Sequence, residues 1–375
     1  MNRFQIKTEI YYGADSLRYL SRFADDVVLI VTDSFMATTE VMKKVISSLG
    51  AATVVVFDRV QPNPTFEVVA DCYRSYLDAN PTALIALGGG SSIDTAKAVN
   101  KIARDQTPDR IEFIAIPTTS GSGSEMTSYA VITNAETQKK IAMMSPDMYP
   151  DVAILDPEAV RTTPQGLTAD TGMDALTHAV EAYVSVRHTD FADAMAEKAL
   201  HLLFEYLPIT YVEGDDIQAR ERVHNAANLA GMAFENAGLG IVHSLSHAIG
   251  GSFHIPHGRL NALILPTVIE FNAGDLHTPK LDPTSTALRY AQLGRMLGAT
   301  TASTRNQVTG FISLIRHLRR DLGIPDTITD LGVAPYDFVA NISAIAETAL
   351  HDPCTVDNPR EVTVADLEDL LRRLL

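Results

Sequence analysis

Short apolar segments alternate with helix-like segments along the first 160 residues of the chain. Four of them, rich in β-branched residues, predict buried strands at 27–32, 52–57, 82–87 and 113–116. Residues 66–79 have helical spacing. Strands that are apolar on both faces and alternate with helices are typical of a parallel α/β sheet. Residues 128–156 differ, because two strand-like stretches flank a polar turn, which predicts an antiparallel hairpin followed by one more strand.

From about residue 161 the apolar positions recur with a period near 3.6 residues, as in amphipathic helices. This pattern predicts helices at 168–187, 190–206, 217–237, 240–252, 260–272, 284–297, 303–322 and 364–374. A chain of 375 residues is long enough for two domains. We therefore predict an α/β domain over 1–160 and an all-α domain over 161–375.

Composition narrows the classes of function. The formal net charge of -16 argues against a nucleic-acid partner. The two cysteines lie far apart in sequence, so they predict neither a disulfide framework nor a cysteine zinc site. The first residues have no apolar core of signal-peptide length, and no segment has the apolar length of a membrane span. These features favour a protein of the reducing cytosol without a membrane partner.

Three glycines, Gly88, Gly89 and Gly90, directly follow a predicted strand and precede a predicted helix. Glycines let the backbone approach a phosphate closely, and a helix N-terminus offers free N–H groups and a positive dipole end. Ser91 and Asp94 lie in the first turns of that helix. The pattern predicts a diphosphate site, although it lacks the spaced glycines of the common dinucleotide fingerprint. The alternative is a tight turn without a ligand.

A second polar loop at 116–128 follows the next predicted strand and carries hydroxyls, among them Thr118, Thr119 and Ser122. Ligands of parallel sheets bind beyond the carboxyl ends of the strands, where both loops lie. The alternative for this loop is a solvated linker. Asp33 ends the first predicted strand, where a carboxylate can bind a ribose and would repel a 2′-phosphate, so it favours NAD over NADP. Its alternative role is a helix N-cap.

Histidines and an aspartate in the second half have the spacing of metal ligands. Asp174 and His178 are four residues apart, as are His243 and His247, so each pair shares a helix face. His257 follows ten residues after His247. A carboxylate with three imidazoles suits Fe(II) or Zn(II). Spacing alone does not decide which three histidines bind. Asp174 and His178 could instead be a local hydrogen-bonded pair, and His243 or His247 alone could be a satisfied core histidine. We expect His254, which is flanked by Phe253 and Ile255, to be structural or to contact the metal ligands rather than the metal.

Several long motifs occur in a recognisable order, and through them the chain resembles the iron-containing (group III) alcohol dehydrogenases along its whole length. The motifs are GGGSSIDTAKA (88–98), IPTTSGSGSEMT (116–127), DTGMDALTHAVEAYVS (170–185), GLGIVHSLSHAIGG (238–251), PHGRLNA (256–262) and DPCTVDNPRE (352–361). The resemblance implies the dehydroquinate synthase-like fold of iron alcohol dehydrogenases. That fold has an α/β NAD-binding domain and an all-helical metal-binding and catalytic domain.

The resemblance also implies site residues. The family's metal ligands fall on Asp174, His178, His243 and His257, and its unligated histidine near the nicotinamide falls on His247. We expect His247 to be catalytic by relaying the alcohol proton toward solvent, and its alternative role is only to shape the pocket. The family's dinucleotide contacts fall on Asp33, Asn63, Gly89, Gly90, Ser91, Thr118, Ser122 and Lys140. Asp94 and Thr119 join the expected cofactor-binding residues because they lie in the two polar segments described above. Ser122 stands where threonine is usual, which keeps the hydroxyl. Cys354 lies in a matching motif, with a small buried residue as its alternative role.

The function expected from this resemblance is an NAD(H)-linked, iron- or zinc-dependent alcohol dehydrogenase. Its substrates would be short primary alcohols and aldehydes, such as propanol and propionaldehyde or ethanol and acetaldehyde, with aldehyde reduction as the favoured direction. The alternatives are a glycerol or polyol dehydrogenase of the same fold, a dehydroquinate synthase-like lyase, and a non-catalytic protein that binds a metal and a nucleotide. Segments such as FNAG (271–274) resemble the propanol dehydrogenases of propanediol utilisation. Ethanolamine-utilisation enzymes are near neighbours of that subgroup. The family implies a homodimer, and the subgroup implies a cytoplasmic protein associated with a bacterial microcompartment.

Overall fold

The chain forms two compact units that do not divide at a single point in the sequence. The computed structural model describes residues 3–107, 110–136, 140–274, 276 and 284–375. One unit is Met1–Thr163 with Gly214–Glu235, and the other is Pro164–Glu213 with Asn236–Leu375. The predicted boundary at 160/161 therefore differs from the observed division, chiefly because residues 214–235 belong with the first unit. Their helical pattern was visible in the sequence, but the unit that they pack against was not.

The first unit is built on a parallel sheet. Its strands in chain order are β1 (Glu9–Tyr12), β2 (Val27–Asp33), β3 (Thr53–Val60), β4 (Ala83–Gly88), β5 (Glu112–Pro117), β6 (Tyr129–Thr133), β7 (Lys140–Met144) and β8 (Val152–Leu155). Six strands pair in the order β1-β8-β5-β4-β2-β3, all in parallel, while β6 and β7 form the predicted antiparallel hairpin. Strand β1 was not predicted, since it has only four residues, none of them fully buried.

The centre of the sheet explains where the polar loops lie. Strand β4 is buried at every position, and helices α1 (Glu40–Ser48), α2 (Phe66–Ala79) and α3 (Gly90–Gln106) connect the strands around it. Strands β5, β4 and β2 are neighbours and end at Pro117, Gly88 and Asp33. The carboxyl ends of neighbouring parallel strands meet at one sheet edge. The predicted glycine loop, hydroxyl loop and Asp33 therefore start from the same edge.

The remaining helices confirm the predicted all-α character of the second half. They are α4 (Gln165–Val184), α5 (Asp190–Val212), α6 (Ile217–Ala237), α7 (Ile241–Phe253), α8 (His257–Ala273), α9 (Ser285–Met296), α10 (Thr304–Asp321), α11 (Pro335–Leu350) and α12 (Val364–Arg372). Helix α11 was missed, although its buried residues Phe338, Ile342, Ile345 and Ala349 recur at helical spacing. None of the helices in the described ranges is both long and apolar enough to cross a membrane.

Candidate metal centre and cofactor loops

Helix α4 supplies one wall of the predicted metal centre. Asp174, His178 and Glu181 follow each other at intervals of four and three residues, so they share one face of the helix. All three are buried, with 8%, 5% and 4% of their surface exposed. Buried charged groups need partners. The helix is buried nearly all round from Thr168 to Val184, which holds these side chains in a fixed frame.

Three imidazoles converge on one oxygen of Asp174. From its Oδ1 atom, the distance to Nε2 is 3.6 Å for His257, 3.7 Å for His243 and 3.9 Å for His178. Ligand atoms of Asp174, His243 and His257 all lie within 4.8 Å of one another. These separations are too long for hydrogen bonds. Ligands bound tetrahedrally at about 2.0–2.2 Å would be separated by roughly 3.3–3.6 Å, which is close to the distances from Asp174 to His257 and His243. His178, at 3.9 Å from Asp174, lies farther out and is not in the group of three.

The orientation of two of these imidazoles is fixed from behind. Glu181 Oε2 lies 2.5 Å from Nδ1 of His243, and its Oε1 accepts the backbone N–H of Val242 at 2.7 Å. Ser246 Oγ lies 2.8 Å from Nδ1 of His257. A hydrogen bond at Nδ1 fixes the ring and leaves Nε2 for a metal. Glu181 was missed in the sequence, although its place seven residues after Asp174 on the same helix was a usable signal.

Helix α8 brings His257 to the centre and adds Asn261, which the sequence analysis also missed. Asn261 Nδ2 donates to Asp174 Oδ1 at 2.7 Å and lies 3.2 Å from Nε2 of both His243 and His257. It is fully buried. Its position one helical turn after His257 was the available signal. The amide thus holds the carboxylate on which the imidazoles converge.

Electrostatics support a charged donor set. Burial alone would raise the pKa of Asp174, but His178, His257 and His243 hold that pKa well below its usual range. Burial alone would lower the pKa of His243, but the carboxylates of Glu181 and Asp174 raise it to about 9. The carboxylate is therefore ionised at neutral pH. The ionised carboxylate attracts a cation, and a cation that binds here must displace the proton that a pKa of about 9 leaves on His243.

His247 lies beside this group with a different hydrogen-bond partner. Its Nδ1 lies 2.8 Å from Asp352 Oδ2, and its ring stacks on His257 with a centroid distance of 5.0 Å. Ligand atoms of His247, Asp352 and Cys354 lie within 4.8 Å of one another. Asp352, 105 residues away in sequence, had no local signal. His254 is exposed and ends α7 in the left-handed conformation, consistent with the structural role expected for it.

In the first unit, the glycine loop (88–90) and the hydroxyl loop (116–128) touch. Thr118 donates its N–H to the carbonyl of Gly88 at 3.0 Å. A Cβ on Gly89 would lie 3.2 Å from Thr119 Oγ1, and one on Gly90 would lie 3.2 Å from Ser122 Oγ. Helix α3 begins at Gly90 beside Ser91, and its N-cap Gly89 has no side chain to occupy the first-turn N–H groups. The arrangement suits an anionic phosphate.

Asp94 lies one turn into α3 but faces the protein. Its two carboxylate oxygens accept Ser124 Oγ–H at 2.6 Å and the N–H of Val131 at 2.8 Å. Both therefore hold the hydroxyl loop and β6 in place. Burial raises the pKa of Asp94, while the charges of Lys97 and Lys140 act in the opposite direction. Direct contact of Asp94 with a cofactor stays a prediction.

The other predicted cofactor contacts occupy three separate positions. Asp33 Oδ1 accepts the N–H groups of Phe35 and Met36 at 2.9 Å each, which is the capping role considered above. Its Oδ2 lies 4.0 Å from where a Cβ of Gly88 would be, at the edge of the glycine loop. Asn63 has a φ of 55° in an exposed turn after β3, and Lys140 begins β7. Contact of Asn63 or Lys140 with a cofactor stays a prediction.

Comparison with known proteins identifies the same family for both halves of the chain. Residues 7–157 match the profile described as iron-containing alcohol dehydrogenase, and residues 168–375 match the C-terminal profile of the Fe-containing alcohol dehydrogenase family. The chain is 40% identical over its full length to the whole of 1-propanol dehydrogenase PduQ from Salmonella typhimurium. It is 36% identical to an NADPH-dependent butanol dehydrogenase from Clostridium saccharobutylicum, covering 99% of this chain and 97% of that protein.

A solved structure agrees with the sequence relatives. The chain superposes on a crystal structure of 1,3-propanediol oxidoreductase with a TM-score of 0.91, 31% identity and full coverage of both chains. The α/β unit with its sheet and the helical unit with its histidines are thus those of a known enzyme fold. The chain belongs to the iron-containing alcohol dehydrogenase family and is an oxidoreductase that interconverts alcohols and aldehydes.

Proposed function

We propose that this enzyme is an NAD(H)-linked, divalent-metal-dependent reductase of short-chain aldehydes, with propionaldehyde as a substrate. The observation that carries the proposal is the convergence of three imidazoles on one Asp174 oxygen at 3.6–3.9 Å. The names of the relatives support a small, unbranched substrate, since they act on 1-propanol and butanol. Formation of a homodimer and association with a microcompartment stay predictions.

The proposed ligands are Asp174, His178, His243 and His257. When bound, Fe(II) or Zn(II) would act as a Lewis acid on the substrate oxygen, and NAD(H) would carry the hydride. Glu181 and Ser246 hold the rings of His243 and His257 from the opposite side. Because the donors are imidazole and carboxylate, their chemistry accommodates either metal. The chain's own contribution is to keep these donors in place before the substrate arrives.

His247 is the proposed group that moves the alcohol proton. A carboxylate can only accept, so Asp352 fixes the proton of His247 on Nδ1 and leaves Nε2 as the acceptor. Burial alone would raise the pKa of Asp352. The hydrogen bonds from His247 and Cys354 and the charge of His247 instead lower it to about 2. The His247 side chain is 29% exposed. A proton can therefore pass through Nε2 from solvent to the substrate oxygen in aldehyde reduction, and in the opposite direction in alcohol oxidation.

The cofactor is assigned to the two loops of the first unit. The glycine loop with the start of α3 would hold the diphosphate, and Thr118, Thr119 and Ser122 would add hydroxyl donors. Asp33 favours NAD because its carboxylate would repel a 2′-phosphate. One relative is named as NADPH-dependent, so the preference depends on Asp33 rather than on the family.

Substrate and cofactor can be tested together on the purified, Fe(II)-loaded enzyme under anaerobic conditions. We expect kcat/KM for propionaldehyde reduction to be ~10-fold or more higher with NADH than with NADPH. A factor of ten corresponds to the free energy of about one electrostatic contact, here the one between Asp33 and the cofactor. NAD reduction with glycerol is the comparison that distinguishes the polyol alternative. A higher kcat/KM for glycerol oxidation than for propionaldehyde reduction would replace the proposed substrate class.

A further inference from the structure

One face of helix α6 lies along the hydroxyl loop within the first unit. Four residues, His224, Asn228, Gly231 and Glu235, are spaced by four, three and four positions. At 3.6 residues per turn they lie within roughly 60° of the helix circumference. We call these four residues the support face of α6. None of them was a candidate in the sequence, where α6 stood among the helices of the other half.

Three side chains of the support face bond to the loop. His224 Nδ1 lies 3.0 Å from Ser120 Oγ, and Asn228 Nδ2 donates to Glu125 Oε1 at 2.9 Å. Glu235 accepts the Ser128 hydroxyl at 2.8 Å on one oxygen and the N–H of Ser128 at 3.1 Å on the other. The contacts thus reach from Ser120 to the end of the loop.

The fourth position brings backbone against backbone. A Cβ on Gly123 would lie 2.6 Å from Cα of Gly231, and a Cβ on Gly231 would lie 3.0 Å from both Cα and O of Gly123. Gly123 also has a φ of 61°, which favours glycine. The glycine pair therefore lets the helix and the loop approach more closely than side chains would allow.

Most of these groups are buried, so the contacts are costly to lose. Glu125 is 3% exposed, His224 2% and Asn228 2%. Burial lowers the pKa of His224 to about 4, so the imidazole is neutral at physiological pH. Burial raises the pKa of Glu125 and the Asn228 hydrogen bond opposes that rise, so without Asn228 the buried carboxyl group loses a donor that stabilises its charged form. The loop conformation is therefore coupled to the helix.

On its other side the same loop meets the glycine loop. Thr119 and Ser122 lie against Gly89 and Gly90, and Thr118 bonds to the carbonyl of Gly88. The hydroxyls proposed to bind the dinucleotide are thus carried on a segment held between α6 and the glycine loop. We propose that the support face of α6 sets the affinity for the nicotinamide dinucleotide by fixing the hydroxyl loop. Its four members are positioning residues, and this inference rests on the proposed cofactor site.

The test compares Asn228→Ala with Asn225→Ala on the metal-loaded enzyme. Asn225 is on the same helix but about 100° from His224 and outside the support face. We expect Asn228→Ala to raise the Kd for NADH, measured by fluorescence titration, by ~10-fold or more, because a buried carboxylate loses its donor. The KM for propionaldehyde and the bound metal should stay at wild-type values. Asn225→Ala should bind NADH like the wild type.

Gly231→Ala is the second variant, and it places a methyl group between helix and loop. We expect the same rise in Kd for NADH and faster amide hydrogen exchange in residues 118–128. An unchanged Kd and unchanged exchange in both folded variants would overturn the inference. If the wild type binds no NADH but amide exchange in the loop still rises in Gly231→Ala, the proposed cofactor site is wrong, while the inference that α6 supports the loop stands. If Gly231→Ala does not fold, the two asparagine variants decide.

Discussion

Asp174→Ala is expected to remove the metal and to lower kcat/KM for propionaldehyde reduction by roughly 10³-fold, since Lewis acidity contributes several kcal/mol to a barrier. The reason is geometric, because the distances from Asp174 Oδ1 to Nε2 of the three proposed histidine ligands are all 3.9 Å or less. Removing it also removes the charge that attracts the cation. Metal content by elemental analysis and steady-state kinetics measure the two effects separately.

Asp170→Ala is the matched control on the same helix. Asp170 lies one turn before Asp174 and is equally buried, but its Oδ1 accepts Nε of Arg259 at 2.9 Å. We expect this variant to keep its metal and most of its activity. Equal losses of metal in both variants would mean that metal binding depends on buried charge on α4 in general and not on Asp174 in particular. The assignment of Asp174 as a ligand would then fail.

Gly258→Ala has the second-largest expected effect, although Gly258 has no chemistry of its own. A Cβ on Gly258 would lie 2.0 Å from the carbonyl oxygen of Asp170 and 3.1 Å from Cβ of Asp174. Backbone atoms cannot give way as a flexible side chain can, so the start of α8 would move away from α4. His257, the preceding residue, would move with it. We expect metal affinity to fall by ~10–100-fold, which is the typical effect of removing the groups that orient a metal ligand.

The control for this variant is Gly251→Ala, another helical glycine of the same unit. A Cβ there would meet no heavy atom within 4 Å. Metal affinity, measured by competition with a chelator, should be unchanged in Gly251→Ala and lowered in Gly258→Ala. Wild-type affinity in Gly258→Ala would show that α8 does not need this close approach to place His257.

Much of the fold could be predicted from local patterns, for physical reasons. Buried parallel strands such as β4 are apolar throughout, and helices such as α2 and α10 repeat their apolar positions every turn. Strand β1 lacks a continuous buried apolar pattern because it lies at the sheet edge. The place of α6 could not be predicted, because periodicity marks a buried face without identifying what buries it.

The same distinction between local patterns and long-range contacts applies to the candidate site. Pairs four residues apart, such as Asp174 with His178, could be predicted because a helix brings them together. Glu181 and Asn261 had the same kind of local signal and were missed. The contact of His247 with Asp352, by contrast, joins residues far apart in sequence, and no spacing rule predicts it. The structure adds the hydrogen bonds that orient each side chain.

The most direct test of the central claim is removal and return of the metal in the wild-type enzyme. Anaerobically chelated protein should have lost its NADH-dependent reduction of propionaldehyde while remaining folded by circular dichroism. Activity should return in proportion to Fe(II) or Zn(II) bound, up to one ion per chain, and Asp174→Ala should recover none. Full activity in metal-free protein would contradict the account, as would return of activity in Asp174→Ala to the wild-type level.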